Sequence, residues 1–75
     1  MADVPVMSSR EVMILLERLG FGEVRQRGSH KHFKHIDGRS TTVPVHSGRD
    51  LSPILLRQIA KDIGLTVREF LATRA

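Results

Sequence analysis

Apolar residues recur at Val12, Leu15, Leu16 and Leu19, the spacing that lines one face of an α-helix. Both ends of this stripe carry matching signals. Ser8 can cap the first turn, and Glu11 stands where a capping box needs it. Met7 and Val12 are placed to close over that cap as a hydrophobic staple. Gly20 can take the left-handed conformation that ends a helix, with Phe21 folding back onto Leu16. The pattern predicts a helix over 9–19. Residues 1–7, with Pro5 and no period, read as a loose leader.

After Gly20 the period shortens. Residues 21–27 are mixed, with Val24 as the apolar member, and Gly28-Ser29 is a turn signal. Residues 30–36 read as a second strand. Asp37-Gly38 signals a hairpin, and the β-branched run over 40–45 reads as a third strand. Pro44 cannot donate to a ladder, so this strand belongs at a sheet edge, as in a meander. A two-residue loop at Asp37-Gly38 would pair Phe33 with Thr42. A three-residue loop over Asp37, Gly38 and Arg39 pairs Phe33 with Val43 and Lys31 with Val45. The second gives Phe33 an apolar neighbour and is the expected register. Alternation then puts His30, His32 and Lys34 together on the face opposite Phe33. His35 faces the other way, at the sheet rim.

The segment HSGRD, residues 46–50, reads as a loop. Ser52 caps a second helix, and Pro53 suits its first turn. Ile54, Leu55, Leu56, Ile59, Ala60 and Ile63 give that helix a broad apolar surface, and Gly64 stops it. Thr66 and Glu69 form a second capping box ahead of a short helix holding Phe70 and Leu71. The expected fold class is α+β, in the order α-β-β-β-α with a terminal helical turn. Its three-stranded antiparallel sheet has helices on one face, and residues 8–75 form a single domain.

Composition narrows the function. A chain of 75 residues supports one small domain. It has no cysteine, which removes disulfides and thiolate zinc sites and suits a cytoplasmic setting. No signal peptide is evident and no apolar run approaches membrane-spanning length, so no membrane partner is expected. The net charge of +4 is unevenly spread. Between Val24 and Arg49 six basic residues face only Asp37, giving +5, while the remainder carries −1. A positive middle suits a polyanion. Phe21, Phe33 and Phe70 all read as internal, which argues against base stacking and favours backbone and 2′-hydroxyl contacts.

Five segments occur together in a recognisable order: SSREVMILLERLGF, VRQRGSHKHFKH, the turn DGR, TTVPVHSGRDL and IAKDIGLTVREF. In them the chain resembles the HicA-type toxins, or YcfA-like family, of bacterial and archaeal toxin–antitoxin modules, over residues 8–71. The resemblance implies a fold like a double-stranded-RNA-binding domain. It also implies ribonuclease action on messenger RNA and a HicB-type antitoxin that binds and silences the toxin. The functional histidine of the family's GSH motif maps onto His30. The leader before Ser8 is longer than usual in the family, and His32 is not a defining position.

RNA cleavage needs a proton removed from a 2′-hydroxyl and one given to the departing 5′-oxygen. Imidazole suits both tasks near neutral pH. His30 is therefore the candidate catalytic residue. Arg25, Arg27, Lys31 and Lys34 are candidates to hold phosphate, and Gly28 and Ser29 to present backbone amides to it. His32 and His46 are weaker candidates for a second proton carrier; the plainer reading of His32 and His35 is solvated strand residues. His30-x-His32 could hold a metal from one strand face. A third ligand lacks any obvious spacing, with Glu23, Asp37 and His46 suggested by proximity alone, so no metal and no cofactor is expected. The competing readings are a non-catalytic double-stranded-RNA-binding module and a subunit whose basic face docks an acidic partner. A pure binder needs cations but has no call for an imidazole beside a glycine turn.

Overall fold

The computed structural model describes residues 6–46 and 49–74. Its first helix, α1 (Ser9–Arg18), begins as its local chemistry dictates. Ser8 Oγ accepts the Glu11 N–H at 3.1 Å, and Glu11 Oε1 accepts the Ser8 N–H at 3.2 Å. Met7 and Val12 are both buried across this cap. At the other end Gly20 takes φ +93°; its N–H reaches Glu17 O at 3.0 Å and the Phe21 N–H reaches Leu16 O at 2.9 Å. That double bond is a Schellman cap, and it delivers Phe21 into the core.

The chain then forms a meander of β2 (Gly22–Arg27), β3 (His30–Lys34) and β4 (Ser40–Pro44), in spatial order β2-β3-β4. The Pro44 strand lies at an edge, as expected. A second helix, α2 (Pro53–Asp62), follows with Ser52 Oγ accepting the Leu55 N–H at 3.2 Å, and α3 (Val67–Ala72) is capped by the Thr66–Glu69 box. Leu56, Ile59, Ala60, Ile63 and Phe70 join Val12, Leu15, Leu16, Phe33 and Val43 in one core. Ile54 does not: it is 75 % exposed, because the buried stripe of α2 starts at Leu56 and leaves that turn facing solvent. The helices thus lie on the Phe33 face of the sheet, giving the α+β, double-stranded-RNA-binding-domain-like arrangement.

The β3–β4 register differs from the expectation. Phe33 pairs with Thr41 and Lys31 with Val43, not Phe33 with Val43 and Lys31 with Val45. The loop is Ile36-Asp37-Gly38. The Gly38 N–H bonds His35 O at 2.9 Å, Gly38 takes φ +100°, and the His35 N–H bonds Arg39 O at 2.8 Å. This is a three-residue hairpin in which a tight turn is followed by a left-handed glycine. The demand for glycine at that third place overrode the cross-strand preference of Phe33, which finds its apolar contacts in the helices instead. Because the slip is two residues, every side chain stays on its expected face.

A further pairing closes the domain. β1 (Met7–Ser8) lies antiparallel to β5 (Asp50–Leu51), with Met7 opposite Leu51 and both buried. Residues 1–5 of the expected leader, and Ser47-Gly48 of the expected loop, lie outside the described residues.

Candidate active site on the open sheet face

The register decides which side chains share the face away from the helices. On β3, His30 pairs with Arg27 on one side and Pro44 on the other; His32 pairs with Arg25 and Thr42. Directly paired residues project to the same side of a sheet. Lys34, two residues beyond His32, joins them.

Arg25 and Arg27 reach this face through a bulge. Gly22 pairs with Lys34 and Glu23 with Phe33, but Arg25 pairs with His32, so Val24 is an extra residue in β2. Without it the alternation would send Val24 and Gln26 to the histidine face and both arginines towards the helices. The inserted residue reverses that assignment, a recognised use of β-bulges. Val24 itself is 60 % exposed on this edge strand.

The β2–β3 connection is a two-residue turn. Arg27 pairs with His30, and Gly28 takes φ +56°, the conformation that the first loop position of a type II′ hairpin turn requires. A Cβ at Gly28 would meet nothing within 4 Å, so its glycine answers to the backbone and not to crowding. Gln26 Nε2 donates to Gly28 O at 2.9 Å, and Ser29 O accepts the Val45 N–H at 2.6 Å. His30 is thus the first residue after a tight turn tied down on both flanks, and its side chain is exposed.

His32 is half-buried, and its Nδ1 lies 3.0 Å from Thr42 Oγ1. That contact fixes the ring and leaves Nε2 free. Arg25, Arg27 and Lys34 are exposed around the two imidazoles. None of the strand residues on this face is acidic, so the local field is positive throughout.

Lys31 parts company with this group. It faces the helix side, where its ammonium lies 3.4 Å from Glu23 Oε1. The alternation that placed His30 and His32 on one face already put Lys31 on the other. His35 also faces the helix side; its ring packs against Phe21 with centroids 5.1 Å apart, and its Nδ1 lies 3.1 Å from the Asp37 N–H nitrogen. His46 is exposed just beyond β4. Among the described residues no three His, Asp or Glu side chains gather as a metal site, and no helix is long and apolar enough to cross a membrane.

One residue with a structural task escaped the sequence reading. Arg39, in the DGR turn, sends Nη1 to the carbonyl of Ile63 at the end of α2 and Nε to Asp37 Oδ2 at 2.8 Å. Its guanidinium carbon lies 5.2 Å from the centre of the Phe21 ring. The Arg39 N–H donates to Asp37 Oδ1 at 3.0 Å, and this bond is the main reason that the Asp37 carboxyl is held below the usual carboxylate range. The turn therefore ties the sheet to the ends of both α1 and α2.

No curated protein matches the chain at a significant level. The family model for the HicA toxin of bacterial toxin–antitoxin systems matches residues 9–65, from the first residue of α1 to the residue that follows Gly64. The match takes in α1, the whole meander and α2, and the chain belongs to the HicA toxin family.

Proposed function

We propose that the chain is a ribonuclease toxin that cleaves messenger RNA with His30 as an acid/base group and is silenced by a HicB-type antitoxin. Membership of a toxin family supports the toxin role and an antitoxin partner. The observation that carries the chemistry is an exposed imidazole at a tight turn, among cations and, among the described residues, with no carboxylate paired beside it on the strands.

In the reaction, the 2′-oxygen of the RNA attacks the adjacent phosphorus and the 5′-oxygen departs, leaving a 2′,3′-cyclic phosphate. One proton leaves the 2′-hydroxyl and one joins the 5′-oxygen, so the chain needs no external nucleophile. His30 moves one of these protons. Arg25, Arg27 and Lys34 hold phosphates along the face and offset the charge that builds on the non-bridging oxygens. The amides of the Gly28-Ser29 turn lie beside the same phosphate. Lys31 can add long-range attraction only, since its ammonium is engaged by Glu23.

The alternative is a double-stranded-RNA-binding module without catalysis, which the fold and the basic face would equally serve. Incubating the purified chain with a labelled transcript in EDTA separates the two. Cleavage by the wild type, lost by a factor of about 10² or more in His30→Ala, supports the nuclease. Retardation of the transcript without cutting supports the binder and refutes the nuclease.

A further inference from the structure

We infer that His32 is the second proton carrier of the cleavage site and that Thr42 is the residue that orients it; this rests on the ribonuclease reading. The attacking and departing oxygens of a phosphoryl transfer lie roughly in line, on opposite sides of the phosphorus. Two proton carriers must therefore straddle the phosphate, each within about 2.6–3.2 Å of its oxygen. Side chains at i and i+2 of a strand share a face with their roots about 7 Å apart, close enough for two imidazole rings to reach opposite sides of one phosphate. His30 and His32 have this relation on β3.

The surroundings distinguish His32 from the other imidazoles. Its Nδ1 is bonded to Thr42 Oγ1 at 3.0 Å, so Nε2 is the nitrogen left for substrate. For Nε2 to exchange a proton with substrate, Nδ1 keeps its hydrogen in both states of the ring, and the Thr42 hydroxyl can accept that Nδ1–H throughout the cycle. Arg25 flanks the ring from β2, and His30 and Lys34 flank it along β3. No carboxylate faces it from these strands. His35 is turned to the helix side against Phe21. His46 is exposed past the end of β4, without the strand scaffold that fixes His32. During the reaction one of the two imidazoles takes the 2′-hydroxyl proton while the other gives its proton to the 5′-oxygen, and the pair ends with its protons exchanged between partners. Solvent restores the starting state.

The test is single-turnover cleavage of an RNA oligonucleotide spanning a site mapped on the transcript, measured from pH 5 to 9. The wild type should give a bell-shaped profile, because one carrier must be neutral and the other protonated. His32→Ala and His32→Asn should each lower the rate at the optimum by about 10²–10⁴-fold and erase one limb of the bell. His30→Ala should erase the other limb, and His46→Ala should keep both. Thr42→Val should slow the reaction, with Thr42→Ser restoring it. Circular dichroism melts of the two His32 variants confirm that they are folded. A fall of less than tenfold in folded His32→Ala and His32→Asn, or a larger fall with both limbs kept, overturns the assignment and leaves His32 as a binding or solvated residue. Absence of cleavage by the wild type, or undiminished cleavage by His30→Ala, instead removes the ribonuclease reading on which the assignment stands.

Discussion

Replacing Arg39 should unfasten the helices from the sheet without touching the open face. The guanidinium makes a part-buried bond to the Ile63 carbonyl and lies over the Phe21 ring at 5.2 Å. A hydrogen bond from a charged donor contributes about 1.5–3 kcal/mol. A partly exposed cation–π contact adds about 0.5–1 kcal/mol. The ion pair with Asp37 adds little, since both side chains are well solvated. Arg39→Ala should therefore cost about 2–3 kcal/mol, allowing for overlap between the two contacts. For a domain of this size each kcal/mol lowers Tm by about 4–8 °C, so a loss on the order of 10–20 °C should be seen. Arg39→Lys keeps the charge but loses the flat fork, and should recover less than half of the loss. Urea and thermal unfolding of the three proteins give the stabilities. Binding of a 2′-O-methyl RNA, which cannot be cleaved by its own 2′-oxygen, gives the salt dependence of affinity in parallel. Both variants falling within about 0.5 kcal/mol of the wild type, the range of ordinary surface changes, would show that the clasp holds nothing. A shallower salt dependence in either variant would show that Arg39 is a phosphate contact instead.

Other outcomes follow from the division of the sheet into two faces. Arg25→Ala and Arg27→Ala should each reduce the slope of log affinity against log salt by about 0.7 on single-stranded RNA, whereas Lys31→Ala should change it by much less; equal effects in all three would refute the bulge-directed face assignment. Phe33→Ala should cost about 3–5 kcal/mol in a urea titration, because the ring is only 2 % exposed. Asp37 offers a pH test with a defined sign. Its folded carboxyl is held low, chiefly by the Arg39 N–H, so its contribution is present above the unfolded value near 4 and lost as pH falls through the folded value. The stability gap between wild type and Asp37→Asn should therefore be widest near neutrality and shrink as acid is added, and a gap that widens on acidification would contradict this.

The elements legible in the sequence are those whose signals are local. Ser8 with Glu11 and Thr66 with Glu69 each sit within one helical turn of their partners, and Gly20 and Gly64 act on the residues beside them, so the helix limits could be read off. The face of each β3 residue was equally readable, since it depends only on alternation. What escaped depends on a competition between distant or finely balanced terms. The β3–β4 register turned on whether glycine occupies the second or third loop place, and the gain for Phe33 pointed the wrong way. The Val24 bulge leaves no mark in a short, mixed, exposed strand. Met7 with Leu51 joins two-residue pieces that lie far apart in the chain, before α1 and before α2. Among the site residues, Lys31 carried its own warning, because it shares the parity of Phe33. Arg39 read as one more cation of the basic segment, and only the packing of both helix ends around it reveals its task.

The parity of the strands explains why such a small chain can present histidines and arginines on one face without loss of its core. Phe33, Thr41 and Val43 anchor the sheet to the helices; Thr41 Oγ1 even donates to Asp62 Oδ2 on α2 at 2.9 Å. His30, His32 and Thr42 alternate with them and bury little against the core. Turning β3 over by one residue would exchange these sets, placing imidazoles among leucines and a phenylalanine in water. The two turns prevent it by different means. Gly28 at the first place of a two-residue turn pins β2 against β3, and Gly38 at the third place of a three-residue loop pins β3 against β4. Substituting alanine at either glycine forces a left-handed conformation on a residue that resists it. With Phe33 held by the helices, β3 keeps its faces, so a shift of register at Gly28 would move Arg25 and Arg27 of β2 away from the histidines. Loss of His30 alone removes nothing from the core. The side chains of the open face and the stability of the domain are therefore separable by mutation, and the glycine turns are where they become coupled.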